Sequence, residues 1–353
     1  MQKIIVTNDL KKEIFDITLK ENISKYMLVC GKSIALLGID DLLNDANFNH
    51  QIFSGVSPNP TTLIVEDAVR TYKNNKCDAI LAIGGGSPID VAKGVKDLLV
   101  LEKNVPKFIA VPTTAGSGAE STSVAVIYKD GVKMSVGGDI LLPDYAILVP
   151  KFLMGLPKYQ KKCTVFDALA QAIESLWSVS STDKSKEYAR KAIKLIVPHV
   201  MEYINENKHL EEISLGANYA GRAINISRTT APHAMSYKLT TLYNLPHGHS
   251  VALSLPIVWE FMINNIEKCI DTRGVDYLKN IFQEIATLLG YQNIDEAIKY
   301  IHNLIKVFDL KAPNILPEEL DALVNSVDVE RLGNTPVAIT KADLNELYKM
   351  ISK

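Results

Sequence analysis

Apolar residues fall in short, nearly unbroken runs through the first part of the chain and in helically spaced rows through the rest. The runs occupy residues 26–30, 50–54, 79–83, 107–111 and 145–149, with helical stretches between them. Runs without polar alternation suit strands covered on both faces, so the pattern predicts a parallel α/β sheet. Residues 124–136 read differently: two strand-like runs flank Lys129-Asp130-Gly131, which predicts a β-hairpin with Asp-Gly chemistry at its turn. Beyond about residue 155 the period changes. Val165, Leu169, Ala172, Ile173 and Leu176 trace one helical face, and Leu278, Ile281, Phe282, Ile285 and Leu289 trace another that Gly290 closes. Ile294, Ala297, Ile298, Ile301, Leu304 and Ile305 form a third. The change of period predicts an α/β domain over residues 1–156 and a helical domain over 157–353, with the boundary near Gly155 to Lys158.

Composition narrows the function classes. A chain of 353 residues exceeds the usual size of one core, and an apolar share of 47% against 22% charged residues is that of an ordinary globular protein. A net charge of -2, with no basic tract, gives polyanions nothing to hold, so nucleic acid is not an expected partner. Cys30, Cys77, Cys163 and Cys269 lie far apart and form no CxxC pair, which predicts reduced thiols. The N-terminal residues resemble no signal peptide, and no apolar run approaches the roughly 18 residues of a membrane span. The expectation is a cytoplasmic protein.

Candidate chemistry begins where strands end. The run at 79–83 leads into Gly84-Gly85-Gly86-Ser87-Pro88 and then a helical stretch. Glycines let a backbone approach a ligand, and the helix start offers unpaired N–H groups to a phosphate. After the run at 107–111 comes a second loop, in which Thr113, Thr114 and Ser117 can donate to phosphate or ribose oxygens. In an open α/β sheet both loops line the same crevice, which predicts a dinucleotide site, the alternative being two ordinary turns. The first run ends in Cys30-Gly31-Lys32-Ser33, where Gly31 supplies no acid for a ribose hydroxyl and Lys32 and Ser33 can accommodate a 2′-phosphate. NADP(H) is therefore favoured over NAD(H), although a surface turn indifferent to the cofactor reads equally well. Asp90, early in the following helix, and Lys133, in the hairpin, join the candidate cofactor contacts.

Asp167 and Gln171 stand four apart on one helix, so they share a face. His233 follows the helix-start signal Thr230-Ala231-Pro232, and His247 lies in Leu245-Pro246-His247-Gly248-His249. One carboxylate and two imidazoles suffice for one divalent metal, Fe2+ or Zn2+, with a position left for substrate. By spacing alone they also read as unrelated polar positions.

Four segments in order, GGGSPIDVAKGV, VPTTAGSGAEST, FDALAQAIES and HAMSYKLTTLYNLPHGH, resemble the iron-containing (group III) alcohol dehydrogenase family, and the likeness covers nearly the whole chain. The resemblance implies a Rossmann-like N-terminal domain, an all-helical C-terminal domain of dehydroquinate synthase-like architecture, and a cleft holding nicotinamide cofactor and metal. It implies metal-ligand roles for Asp167, His233 and His247. The family's fourth ligand, a His four residues after the Asp, is Gln171 here. Gln171 is then either a weaker ligand through its amide oxygen or a residue beside the ligands that orients them or touches substrate. A further family His is Tyr237 here, a packing aromatic or a polar substrate wall. His249 is a proton relay, a support for the metal shell or a solvated side chain.

QAIESLWS and AINISRTTAPHAMSYKLT resemble the phosphonoacetaldehyde reductase branch more closely than the family's simple-alcohol members. That resemblance implies reduction of phosphonoacetaldehyde to 2-hydroxyethylphosphonate, with the metal polarising the carbonyl and NAD(P)H supplying hydride. Ser227-Arg228-Thr229-Thr230 would offer the phosphonate a guanidinium fork and three hydroxyls, with Arg222 and Lys238 nearby; the plain alternative is that all three basic side chains face solvent or pair with carboxylates. The competing readings are a short-chain alcohol or polyol dehydrogenase, a dehydroquinate synthase-like lyase, and a non-catalytic nucleotide-binding protein. The family also implies a homodimer or larger homo-oligomer.

Overall fold

The computed structural model of the chain describes residues 2–129 and 132–352, and the side chains of Val132 and Lys133 lie outside that description. The Lys133 cofactor candidate and the Asp130-Gly131 turn therefore fall outside the described residues. Two compact units are present: Met1–Leu156 with Asn207–Gly221, and Pro157–Glu206 with Arg222–Lys353. The segment Asn207–Gly221, which a single linear boundary leaves in the second half, groups with the first.

The first unit holds eight strands among the described residues: β1 (Lys3–Val6), β2 (Tyr26–Cys30), β3 (His50–Phe53), β4 (Ala79–Gly84), β5 (Lys107–Pro112), β6 (Val124–Lys129), β7 (Val132–Gly137) and β8 (Tyr145–Leu148). Six make one sheet in the order β1-β8-β5-β4-β2-β3, and every neighbouring pair is parallel. The hairpin β6–β7 is a separate antiparallel pair, with Lys129 opposite Val132. Alternate residues of each central strand enter two different cores. Met27 and Val29 pack with α3 (Thr62–Asn74) and α4 (Gly86–Leu101), whereas Tyr26, Leu28 and Cys30 pack with α1 (Leu10–Glu21) and α2 (Asp40–Leu43). Burial on both faces is why these runs lack polar alternation. Strand β1 has no such signature because it is four residues long, sits at the sheet edge and is exposed at both ends. Cys30, Cys77 and Cys163 are buried and Cys269 is half-buried, all as free thiols.

The remaining chain is helical: α5 (Lys158–Trp177), α6 (Asp183–Ile196), α7 (Val200–Glu206), α8 (Leu210–Ser227), α9 (Ala231–Tyr243), α10 (His247–Asn264), α11 (Val275–Leu288), α12 (Ile294–Val307), α13 (Leu320–Asn325), α14 (Val329–Gly333) and α15 (Lys341–Ile351). In the second unit Trp177, Trp259 and Phe282 meet with ring centroids 5.8 to 6.3 Å apart. Among the described residues no helix is long and apolar enough to cross a membrane.

One polar clamp fixes the end of α5. The Arg273 guanidinium donates to both Asp271 carboxylate oxygens and to the carbonyls of Ser178, Val179 and Ser181. Those carbonyls follow the last turn of α5, where helical partners run out. Arg273→Met should therefore destabilise the protein by about 2–3 kcal/mol, leaving Asp271 buried without its cation. Urea unfolding of the metal-free protein measures it, and a change under about 0.5 kcal/mol would remove the clamp from the account.

Candidate active site

The loops after β2, β4 and β5 share the carboxyl edge of the sheet. From β2 the chain turns to β3 on one side and then crosses to β4 on the other, with Cys30 beside Ile83. Such a reversal leaves a crevice at the strand ends, the usual nucleotide position in open α/β sheets. Gly31, Lys32 and Ser33 leave β2, with Lys32 and Ser33 exposed. Gly84 to Ser87 leave β4, and Thr113, Thr114 and Ser117 follow β5.

The second and third loops are built onto one another. Thr113 N–H donates to the Gly84 carbonyl at 3.0 Å. A Cβ on Gly86 would meet Ser117 Oγ at 3.2 Å, so a side chain there would require Ser117 to give way by a few tenths of an ångström. Helix α4 starts at this point with Gly85 as its N-cap and no side-chain cap, which leaves first-turn N–H groups for an anion. Asp90 lies one turn further along α4. Its Oδ2 accepts from Val126 N–H at 3.3 Å, which ties α4 to the hairpin.

Lys93, which the sequence reading did not single out, lies three residues further along α4 and is wholly buried. Its Nζ donates to Thr122 Oγ1 at 2.9 Å and to the Val124 carbonyl at 2.8 Å. Burial lowers its ammonium to about 8, against the attraction of Asp90 and Glu120. Glu120 is itself buried and raised above the usual carboxylate range by burial, and Asn218 Nδ2 reaches its Oε1 at 3.1 Å. This network holds the segment after the third loop to α4 and to the middle of α8.

In the second unit, ligand atoms of Asp167, His233 and His247 all lie within 4.8 Å of one another. Asp167 comes from α5, His233 from the first turn of α9 and His247 from the first residue of α10. Helix α10 can start so close to α5 because residue 248 is glycine. A Cβ there would overlap the Cys163 carbonyl oxygen and lie 2.9 Å from the Cβ of Asp167. Gln171, one turn after Asp167, donates from Nε2 to Asp167 Oδ1 at 3.3 Å, while its Oε1 is buried without a hydrogen-bond partner. One carboxylate and two imidazoles within 4.8 Å of one another, with an unpartnered amide oxygen on the residue that bonds Asp167, make a donor set that fits a divalent metal.

Glu174, one further turn along α5, was missed from the sequence. Its Oε1 bonds His233 Nδ1, and its Oε2 accepts from the N–H and Oγ1 of Thr230, each at 2.7 Å. Holding Nδ1 in this way turns His233 Nε2 toward Asp167 Oδ1, 3.2 Å away. The available signal was helical phase, since residues 167, 171 and 174 share a face. Burial acts to lower the His233 imidazolium, but Glu174 and Asp167 outweigh it and raise it to about 10. Burial acts to raise Asp167, and His247, His233 and Gln171 hold it below its ordinary value.

Other candidates are placed differently. His249 is buried with both ring nitrogens engaged, Nδ1 with Tyr159 hydroxyl at 2.7 Å and Nε2 with the Lys311 carbonyl at 3.0 Å. It is therefore a tie between helix and loop, neither solvated nor directed at the ligand atoms, and burial lowers its imidazole below the ordinary value. Arg228 is exposed, in the left-handed turn that ends α8 at φ 61°. The three hydroxyls around it have internal partners: Ser227 with Ser175, Thr229 with Arg331, and Thr230 with Glu174. Ser227-Arg228-Thr229-Thr230 is thus not a phosphonate cradle, because turn closure consumes its hydroxyls and directs Arg228 outward. Arg222 is engaged with Tyr188, 2.7 Å from its hydroxyl. Lys238 is half-buried on α9, away from the His233–Tyr237 face. Tyr237 is at the site, its ring stacked on His247 with centroids 5.6 Å apart and planes 3° apart.

A parallel-sheet domain with glycine-rich loops at its carboxyl edge, followed by a helical unit in which one carboxylate and two imidazoles meet, fits a metal-dependent dehydrogenase. Residues 2–150 match the iron-containing alcohol dehydrogenase family and residues 162–352 match the C-terminal part of the Fe-containing alcohol dehydrogenase family. The chain belongs to this family and is an oxidoreductase acting on CH–OH groups. It is 28% identical to an alcohol dehydrogenase of Thermococcus barophilus over 92% of each chain. It is 30% identical to a phosphonoacetaldehyde reductase of Streptomyces viridochromogenes over 67% of this chain and 66% of that one. The crystal structure of a sulfoacetaldehyde reductase from Bifidobacterium kashiwanohense in complex with NAD+ superposes with a TM-score of 0.87 at 26% identity, covering 100% of this chain and 97% of that one.

The raised imidazolium of His233 has a measurable consequence. Below about 10 the metal-free site carries a proton on His233, and a cation must displace it. Metal binding at pH 7 should release about one proton per ion, with affinity falling up to tenfold per unit drop in pH. Calorimetric titration with Zn2+ in buffers of different ionisation enthalpy reads this directly. Zero release would exclude a protonated His233.

Proposed function

We propose that the protein is a metal-dependent aldehyde reductase that draws hydride from NAD(P)H and converts a short aldehyde to its alcohol, with phosphonoacetaldehyde to 2-hydroxyethylphosphonate as the reaction. The observation that carries the reading is the convergence of Asp167, His233 and His247 beside the orphaned oxygen of Gln171. Two relatives named above, the phosphonoacetaldehyde and sulfoacetaldehyde reductases, support the substrate class.

Asp167, His233 and His247 would hold the metal, with Gln171 Oε1 as a fourth donor. An Fe2+ or Zn2+ ion there supplies a Lewis acid, a contribution of several kcal/mol to charge developing on a carbonyl oxygen. Glu174 keeps His233 Nδ1 protonated and so directs Nε2 toward the ligand group. The glycine loops Gly84 to Gly86 with Ser87, and Thr113, Thr114 and Ser117, receive the dinucleotide phosphates and ribose, using uncapped N–H groups of α4. Gly31 supplies no carboxylate at the end of β2, and exposed Lys32 and Ser33 suit a 2′-phosphate, which supports NADPH over NADH. The reading takes the enzyme as a cytoplasmic homodimer or larger homo-oligomer.

His247→Ala, purified folded, should lose bound metal and lower aldehyde reduction at least 1,000-fold; retention of both would remove the assigned role. Gly31→Asp should shift the NADPH-to-NADH ratio of kcat/KM at least tenfold toward NADH through repulsion of the 2′-phosphate. An unchanged ratio would take residue 31 out of cofactor choice.

A further inference from the structure

The turn before α9 leaves the charge of an anionic substrate without a receiver, and another cation stands at the site. Arg331, in α14, is half-buried, with its guanidinium carbon 5.7 Å from the centre of the Tyr237 ring. The same ring stacks on His247, so guanidinium, phenol and metal-ligand imidazole are in continuous contact. Arg70, Arg190 and Arg273 each pair with a carboxylate. Arg331 makes no ion pair among the described residues. Its only side-chain hydrogen bond there runs from Nη1 to Thr229 Oγ1, and the other guanidinium N–H groups remain.

The position of Arg331 is built. Asn334 Nδ2 donates to the carbonyls of Ser227 and Thr229 at 2.8 and 3.0 Å. Thr335 Oγ1 accepts from Ala231 N–H at 3.0 Å and donates to the Arg331 carbonyl at 3.2 Å. These bonds lock α14 to the start of α9, the helix that carries both His233 and Tyr237. A half-buried guanidinium resting on an aromatic face keeps a planar fork of donors oriented at little entropic cost, which suits a tetrahedral oxyanion.

We propose that Arg331 binds the anionic end of the substrate and makes the site selective for short aldehydes carrying a phosphonate or sulfonate. This rests on the reductase reading above and names the residue that would set its specificity. Selectivity requires that the anion form its N–H bonds to Arg331 in the complex, whereas an uncharged aldehyde of equal length leaves those donors solvated.

The test compares the metal-loaded wild-type chain with Arg331→Ala and Arg331→Lys on phosphonoacetaldehyde, sulfoacetaldehyde and propanal, with binding of 2-hydroxyethylphosphonate and 2-hydroxyethylsulfonate measured by calorimetry. Arg331→Ala should lower kcat/KM for the anionic aldehydes about 100-fold, mainly through KM, and change propanal less than about threefold. Arg331→Lys should restore part of that loss, since it keeps charge but not the fork. Preference for one anionic aldehyde assigns the phosphonate or sulfonate source. Equal losses on all three aldehydes, or wild type reducing propanal but neither anionic aldehyde, overturns the role of Arg331 and leaves the reductase intact. If wild type reduces no aldehyde yet binds either anionic alcohol through Arg331, the inference stands and the reductase reading fails; if it binds neither, both fail.

Discussion

Glu174 is the carboxylate on which the grouping of Asp167, His233 and His247 depends. A charge enclosed by protein must find enough donors to replace its hydration, and Glu174 finds three, two from Thr230 and one from His233. Meeting that demand draws the start of α9 against α5 and orients the His233 ring. Thr230, the N-cap of α9, makes no side-chain cap bond to its own helix because its hydroxyl serves Glu174 and receives Trp177 Nε1. The same buried carboxylate therefore links the aromatic core around Trp177 to the ligand geometry around Asp167. An apolar residue at 174 would pack, but it would leave both Thr230 and His233 Nδ1 without their acceptor.

The first unit solves its binding problem by topology. Parallel strands gather three loops at one edge without contacts planned between distant residues, and glycine lets two of those loops touch. The buried Lys93 then holds the carbonyl at Val124 and the hydroxyl at Thr122 on α4. An ammonium in such a place costs desolvation, offset by two hydrogen bonds and by Asp90 and Glu120 nearby. The helix that offers its N-terminus to an anion is thus braced from its far side.

Charge near Asp167, His233 and His247 shows why sequence distance misleads. Arg228 lies five residues before His233, yet the left-handed turn at the end of α8 sends it to solvent. Arg331 is remote in sequence and arrives on α14, carried by hydrogen bonds from Asn334 and Thr335 to the same turn. A side chain's neighbours are set by backbone direction, and one φ angle reverses what a linear motif suggests.

Unbroken apolar runs, glycines after strands and 3.6-residue rows were enough to determine the parallel sheet, the helical second half and the two glycine- and hydroxyl-rich loops at the strand ends, because each signal comes from one local segment. The Asp167, His233 and His247 set was named by likeness to a family, while spacing alone left it open. Strand β1 escaped because an edge strand needs no continuous apolar run. Only tertiary structure decided that Glu174 supports His233, that Gln171 Oε1 is left without a donor, that His249 is spent on Tyr159 and Lys311, and that Arg331 stands beside Tyr237. Each of these is a contact between segments far apart in the chain, and which polar groups meet there depends on how helices pack, a quantity no local pattern encodes.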